Sequence, residues 1–162
     1  MLNIDIKPKI YTKEQAALKA EGYCVYQERS QQEVRNKLYE WGLHQSDTEQ
    51  IITKLIENNF INEERFALAF TLGKFRIKGW GKLKIKQALK QKKVIDKLIH
   101  KSLSKIDDED YLNKLLQILT KKSALLQEKD AFKKHYKLTQ FAAYKGFERD
   151  LIIDLLKDNH LA

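Results

Sequence analysis

The sequence predicts an all-α protein in which three tandem three-helix units form an elongated, curved helical array. Three observations carry that prediction. Six glycines and a single proline in 162 residues are too few for the many tight turns of a β-sandwich, for a Gly-rich phosphate loop or for a Gly/Ser linker. A helix-start pattern (a capping residue, acid in the first turn, an apolar residue four positions on) occurs at Thr12, Asn62 and Asp107, at spacings of 50 and 45 residues. A second landmark, the end of a helix, recurs at spacings of 51 and 53 residues, beginning at Lys37, Ala88 and Phe141. With 43% hydrophobic residues the chain can bury a core, which argues against disorder.

The first helix starts at Thr12, whose side chain can accept a bond from the second or third backbone amide while Glu14 faces the positive end of the helix dipole. The second starts at Ser30-Gln31-Gln32-Glu33, a capping box. It ends at Gly42, suited to a left-handed cap, with Leu43 folding back onto the last turn. Ile51, Ile52, Leu55 and Ile56 form the amphipathic stripe of the third. The second unit opens at Asn62, with Phe66, Ala69, Phe70 and Gly73 in helical spacing.

The next segment, Phe75 to Lys86, alternates apolar and basic residues almost strictly, which is the period of a half-buried strand. Gly79 and Gly81 would weaken a strand twice in three residues, and the run from Leu83 to Lys90 is rich in helix formers. The expectation is therefore a helix ending near Arg76, a Gly79-Trp80-Gly81 turn, and a new helix from about Gly81 to Lys92. Ile95, Leu98 and Ile99 supply this unit's closing stripe. The third unit opens at Asp107 with Leu112, Leu115, Leu116 and Leu119, reaches a helix end at Gly146-Phe147, and closes on Leu151, Ile152, Leu155 and Leu156. The expected boundaries are residues 1–60 for the first unit with an N-terminal extension, 61–105 for the second, basic unit, and 106–162 for the third.

The formal charge of +9 is concentrated. Eleven basic residues and one acid lie between Lys74 and Lys101, which puts +10 in 28 residues and −1 in the other 134. Self-repulsion in one segment destabilises it unless a polyanion or an acidic surface relieves it. Lys82, Lys86, Lys90 and Lys93 recur at spacings of four, four and three, with Ile85, Ala88 and Leu89 on another side. The residues nominated for partner or nucleic-acid binding are Lys74, Arg76, Lys78, Trp80, Lys82, Lys84, Lys86, Lys90, Lys92 and Lys93. A solvated lysine face is the alternative for the cations. Trp80 either stacks on a base or inserts into a protein groove, or else plugs the junction between the first and second units.

Catalytic constellations are absent from the pattern. His44, His100, His135 and His160 stand far apart with no metal-ligand spacing. Asp107, Asp108, Glu109 and Asp110 point in different directions around a first helical turn and serve as caps rather than ligands. No serine lies in a Gly-x-Ser-x-Gly elbow, and Gly79-Trp80-Gly81-Lys82-Leu83 lacks the P-loop pattern. No enzyme, cofactor or metal is expected. Cys24, the sole cysteine, cannot form an internal disulfide and reads as a small semi-buried hydrophobe. Met1 to Lys9 lack the design of a signal peptide and no run of 18 apolar residues exists, so a cytoplasmic protein without a membrane span is expected.

Residues 60 to 94, FINEERFALAFTLGKFRIKGWGKLKIKQALKQKKV, resemble the central motif of the bacterial RecX regulatory proteins, with Phe66, Ala67, Gly81, Ile85 and Leu89 at matching positions. Arg29-Ser30-Gln31-Gln32-Glu33-Val34, followed by Leu38 and Gly42, resembles that family's first-unit motif. The sequence departs from the pattern at Lys93, where glycine usually ends the helix, and at Lys82, where proline is frequent. The resemblance implies a monomeric, non-enzymatic modulator of the RecA recombinase, active in DNA recombination, repair and the SOS response. It would bind RecA and its DNA filament and mainly inhibit filament growth, strand exchange and ATP hydrolysis. The basic face alone leaves open direct, weak, non-specific DNA binding by an autonomous helical protein, and a purely structural adaptor.

Overall fold

The computed structural model describes residues 10–161, so the expectation for Met1 to Lys9 lies outside the described residues. The fold is all-α. Three consecutive three-helix repeats follow one another: α1 (Lys13–Tyr26), α2 (Gln31–Glu40) and α3 (Gln45–Glu57); α4 (Glu63–Arg76), α5 (Lys82–Gln91) and α6 (Asp96–Leu103); α7 (Asp108–Leu125), α8 (Ala131–Tyr144) and α9 (Arg149–Asp158).

The helix starts use the caps written into the sequence. Thr12 with Gln15 and Ser30 with Glu33 form complete capping boxes. Asn62 accepts from the Arg65 amide at 2.9 Å and Asp107 from the Asp110 amide at 3.0 Å. Helix ends are equally regular. After α2, the Leu43 amide bonds to the Leu38 carbonyl and the Gly42 amide to the Tyr39 carbonyl, a Schellman motif with Gly42 at φ +85°. Asn59, Gly146 and His160 occupy the same position after α3, α8 and α9, each with positive φ and the same pair of backbone bonds. Lys93, two residues past α5, also has a left-handed backbone, φ +62°.

The chain divides into two compact units, Met1–Ala67 with Lys92–Val94, and Leu68–Gln91 with Ile95–Ala162. In the first, α1 packs on α2 and α3, which pack on each other. Ala16, Ala20 and Cys24 of α1 meet Val34, Leu38, Ile51, Ile52 and Leu55 in a closed apolar core. Arg35 and Glu49 join α2 to α3 through two bonds, at 2.6 and 3.0 Å. Burial pushes the Cys24 thiol up to about 11, and with 7% exposure the residue is the packed hydrophobe that its sequence context suggests.

In the second unit α5 packs on α6, and α7, α8 and α9 pack on one another. Phe75, Tyr111 and Phe147 stack in sequence at centroid separations of 5.9 and 5.1 Å, among Ile85, Leu89, Leu115, Leu119, Leu138 and Ile152, all buried. A buried hydroxyl pair here is satisfied: Thr71 donates to Ser102 at 3.0 Å, and Ser102 donates to the Ile99 carbonyl at 2.9 Å.

Four stripes differ from their expected register; in α3 Thr48 joins Ile51, Ile52 and Leu55 in the core while Ile56 is exposed. In α4 the buried residues are Phe66, Ala67, Thr71 and Phe75, while Ala69 is exposed, because the helix turns Ala67 rather than Ala69 inward. In α7 Tyr111 takes the core position and Leu112 faces out, since the large ring has hydrogen-bond partners inside. Ile95 is the N-cap of α6 and 61% exposed; a residue outside the helix cannot share its buried face.

Candidate nucleic-acid and partner interface

The segment from Phe75 to Lys86 is helix, turn and helix, not strand. α4 ends at Arg76, and the Trp80 amide reaches back to the Lys74 carbonyl at 3.1 Å. What holds the turn is the third repeat. The Gly81 amide donates to the Lys145 carbonyl at 2.8 Å, the Lys82 amide to the Tyr111 hydroxyl at 2.9 Å, and the Leu83 amide to the Gly146 carbonyl at 3.0 Å. Three of the amides orphaned at the start of α5 are thus satisfied from the third repeat, two by backbone carbonyls and one by the Tyr111 hydroxyl, rather than by a side chain of their own turn.

The approach is as close as two backbones allow. A β-carbon on Gly81 would lie 2.2 Å from the Gly146 carbonyl oxygen, and one on Gly146, whose φ is +95°, would lie 2.3 Å from the Lys84 β-carbon. Tyr111 completes the joint. Its hydroxyl donates to Glu148 at 2.7 Å while accepting from Lys82, and burial, then the Glu148 carboxylate, drive the phenol well above its ordinary pKa. The residue at position 82 must therefore carry a backbone N–H, and Lys82 supplies it.

The nominated residues separate into distinct settings. Lys74 and Arg76 end α4, Lys78 and Trp80 lie in the turn, and Lys82, Lys84, Lys86 and Lys90 lie on α5. Lys92 and Lys93 belong to the other compact unit. Lys93 also lies beyond the last turn of α5, with its chain already turned into the left-handed region, so helical spacing does not carry it onto the face of Lys82, Lys86 and Lys90. Several charges have acidic neighbours: Lys82 pairs with Asp108 at 3.1 Å, Lys90 with Asp96 at 3.3 Å, and Lys92 with Glu33 at 2.6 Å. Arg76, Lys78, Lys86 and Lys93 form no ion pair among the described residues.

Trp80 is half-buried and lies between two ammonium groups, Lys74 and Lys84, each 4.9 Å from its ring centroid. Lys84 is also 4.3 Å from the Tyr144 ring centroid and donates to the Tyr144 carbonyl at 3.3 Å. The α5 start therefore carries Lys82 and Lys84 in its first turn with no acid there, against the positive end of the helix dipole. Tyr144 was beyond the reach of sequence reasoning, because it lies 60 residues from its partner; only its place in the recurring helix-end landmark marks it.

A shallow cleft of about 410 Å3 adjoins the turn, lined by Phe75, Arg76, Asp110, Asn113, Lys114 and Gln117. Lys114 crosses it to donate to the Arg76 carbonyl at 3.3 Å. Among the described residues no cluster of His, Cys, Asp and Glu is arranged to hold a metal, and no helix is long and apolar enough to cross a membrane.

Comparison with known proteins gives three consecutive family matches: the first three-helix domain of RecX over residues 16–55, the second over 62–103 and the third over 108–156. "Regulatory protein RecX" of Bacillus cereus (strain B4264) is 28% identical over 160 residues, 96% of this chain and 59% of that protein. Its counterpart from Clostridium perfringens (strain 13 / Type A) is 33% identical over 124 residues, 75% of this chain and 58% of its own. The chain thus spans little more than half the length of these curated relatives. The crystal structure of RecX from Lactobacillus salivarius superposes with a TM-score of 0.80 at 25% identity, over 93% of this chain and 97% of that one.

Proposed function

Since the chain belongs to the RecX family, we propose that it is a cytoplasmic, monomeric, non-enzymatic regulator that binds RecA and the RecA–DNA filament and mainly restrains filament growth, strand exchange and ATP hydrolysis. Its repeats run from 1–60, 61–105 and 106–162, and the second carries the contact surface: Lys74, Arg76, Lys78, Trp80, Lys82, Lys84, Lys86 and Lys90, with Lys92 and Lys93 following. Direct DNA binding without RecA is weak and has little sequence preference, because few side chains on α5 besides Gln87 and Gln91 are suited to reading bases.

The observation that supports this reading is the unrelieved charge of that surface. Arg76, Lys78 and Lys86 form no ion pair among the described residues, and α5 opens with lysines where a stability-optimised helix would carry acids. Such an arrangement weakens the isolated fold and is repaid when an anionic partner arrives. The test is RecA's single-stranded-DNA-dependent ATPase and filament length at stoichiometric ratios of the purified chain. Both fall, and Arg76→Glu with Lys86→Glu relieves the effect. Unchanged ATPase and filament length would overturn the proposal, and tight, sequence-selective DNA binding without RecA would favour an autonomous DNA-binding protein.

A further inference from the structure

The surface of the second compact unit holds an alternating ladder of rings and ammonium groups. From Phe70 it passes to Lys74, 5.2 Å from that ring, then to Trp80, Lys84 and Tyr144 at the separations of 4.9, 4.9 and 4.3 Å described above. Its upper end is open to solvent, since Tyr144 is 78% exposed. Its parts come from α4, the Gly79-Trp80-Gly81 turn, α5 and α8, and they are held in register by the Gly81–Lys145 and Leu83–Gly146 backbone bonds. We infer that this ladder is a track for single-stranded nucleic acid, on which bases stack against Trp80 and Tyr144 while Lys74, Lys78 and Lys84 contact the phosphates. The inference rests on the regulatory reading above and assigns part of its basic surface to the nucleic acid rather than to a protein.

The chemistry selects a single strand. An acidic protein surface or the phosphates of a duplex would use the ammonium groups but have no need of aromatic rings interleaved with them. An unstacked base does, and it does so whatever its identity, because every base has a π-face. A base stacks on an exposed aromatic ring more strongly than a hydrated ammonium group does. The lysines now lying on the Trp80 ring can swing to the backbone of an arriving strand. In the empty protein they cover the indole; in the complex they neutralise phosphate.

The test uses the full chain in a Trp41→Phe background, which leaves Trp80 as the only tryptophan. The probe is a 20-nucleotide oligothymidylate, titrated without RecA at low salt. Saturable quenching of Trp80 fluorescence is expected, with about ten-fold tighter binding than to an abasic oligomer of equal length and charge. Tyr144→Ala, at an exposed position, leaves the helical circular dichroism unchanged and weakens oligothymidylate binding about ten-fold at an unaltered salt slope; Tyr144→Phe retains binding. Lys74→Gln instead flattens the slope of log affinity against log salt by about 0.7. Equal affinity for the abasic oligomer, absence of quenching, or a Tyr144→Ala variant that binds poly-glutamate and oligothymidylate with the same loss would overturn the ladder. A chain that fails these tests yet still restrains RecA's ATPase refutes the ladder and leaves the regulatory proposal standing; a chain that quenches but leaves RecA unaffected does the reverse.

Discussion

Replacing Lys93 by glycine should stabilise the protein. Lys93 is exposed and its backbone sits at φ +62°, where the β-carbon of an L-residue crowds the carbonyl oxygen and costs about 1–2 kcal/mol. Glycine removes that crowding but loses more backbone freedom on folding, about 0.5–1 kcal/mol. The net gain is on the order of 0.5–1 kcal/mol, which for a chain of this length is a rise in Tm of about 2 °C. Lys93→Ala is the necessary companion, because it removes the same charge and methylenes while keeping the β-carbon, and it should leave stability nearly unchanged. Urea titrations of the two variants and the parent, at constant slope, provide the assay. If the glycine variant unfolds at the same urea concentration as the alanine variant or below it, the strain assigned to this helix end does not exist.

Other substitutions probe the joint at the start of α5 and the first core. Gly81→Ala forces a β-carbon to 2.2 Å from the Gly146 carbonyl and should lower stability by more than about 3 kcal/mol, read by thermal denaturation, whereas Gly22→Ala, in open space on α1, should add about 0.5–1 kcal/mol. Tyr111→Phe leaves the Lys82 amide and Glu148 without their shared hydroxyl and should cost about 1–3 kcal/mol in urea unfolding. Cys24, with its thiol pushed up to about 11, should resist alkylation at pH 8 in the native state. Because the unfolded thiol ionises first as pH rises, the folded state should lose stability between about pH 9 and 11, by up to about 2 kcal/mol. Subtracting the pH profile of Cys24→Ala from the parent's isolates that loss; coincident profiles would refute it.

What could be read from the sequence was local. Thr12, Ser30, Asn62 and Asp107 bond to amides three residues away, so the information sits within one turn. Gly42 and Gly146 announce left-handed ends by composition, but Asn59, Lys93 and His160 adopt the same conformation without the residue that usually signals it. The alternating segment from Phe75 to Lys86 was legible as helix, turn and helix only because its two glycines outweighed its period. Stripe registers were legible to within one or two positions: Ala67 against Ala69, or Tyr111 against Leu112, differ in which neighbour the helix meets, and that is set by packing. The site was legible as charge and not as geometry. Asp108 and Glu33 lie 26 and 59 residues from Lys82 and Lys92, so a tally within one segment cannot see them. The ring of Tyr144 reaches Lys84 only because Gly81 and Gly146 lack side chains.

That pair of glycines also bears on how the chain opens. Because the amides of Gly81, Lys82 and Leu83 bond to Lys145, the Tyr111 hydroxyl and Gly146, solvent cannot reach them by fraying of α5 alone. Their deuterium uptake should follow loss of the contacts to α7 and to the Lys145-Gly146 end of α8, whereas the exposed Lys78 sits outside those bonds. Helices separated by 60 residues of sequence thus share one cooperative opening event, and the turn that presents Trp80 is as durable as the repeat that clasps it.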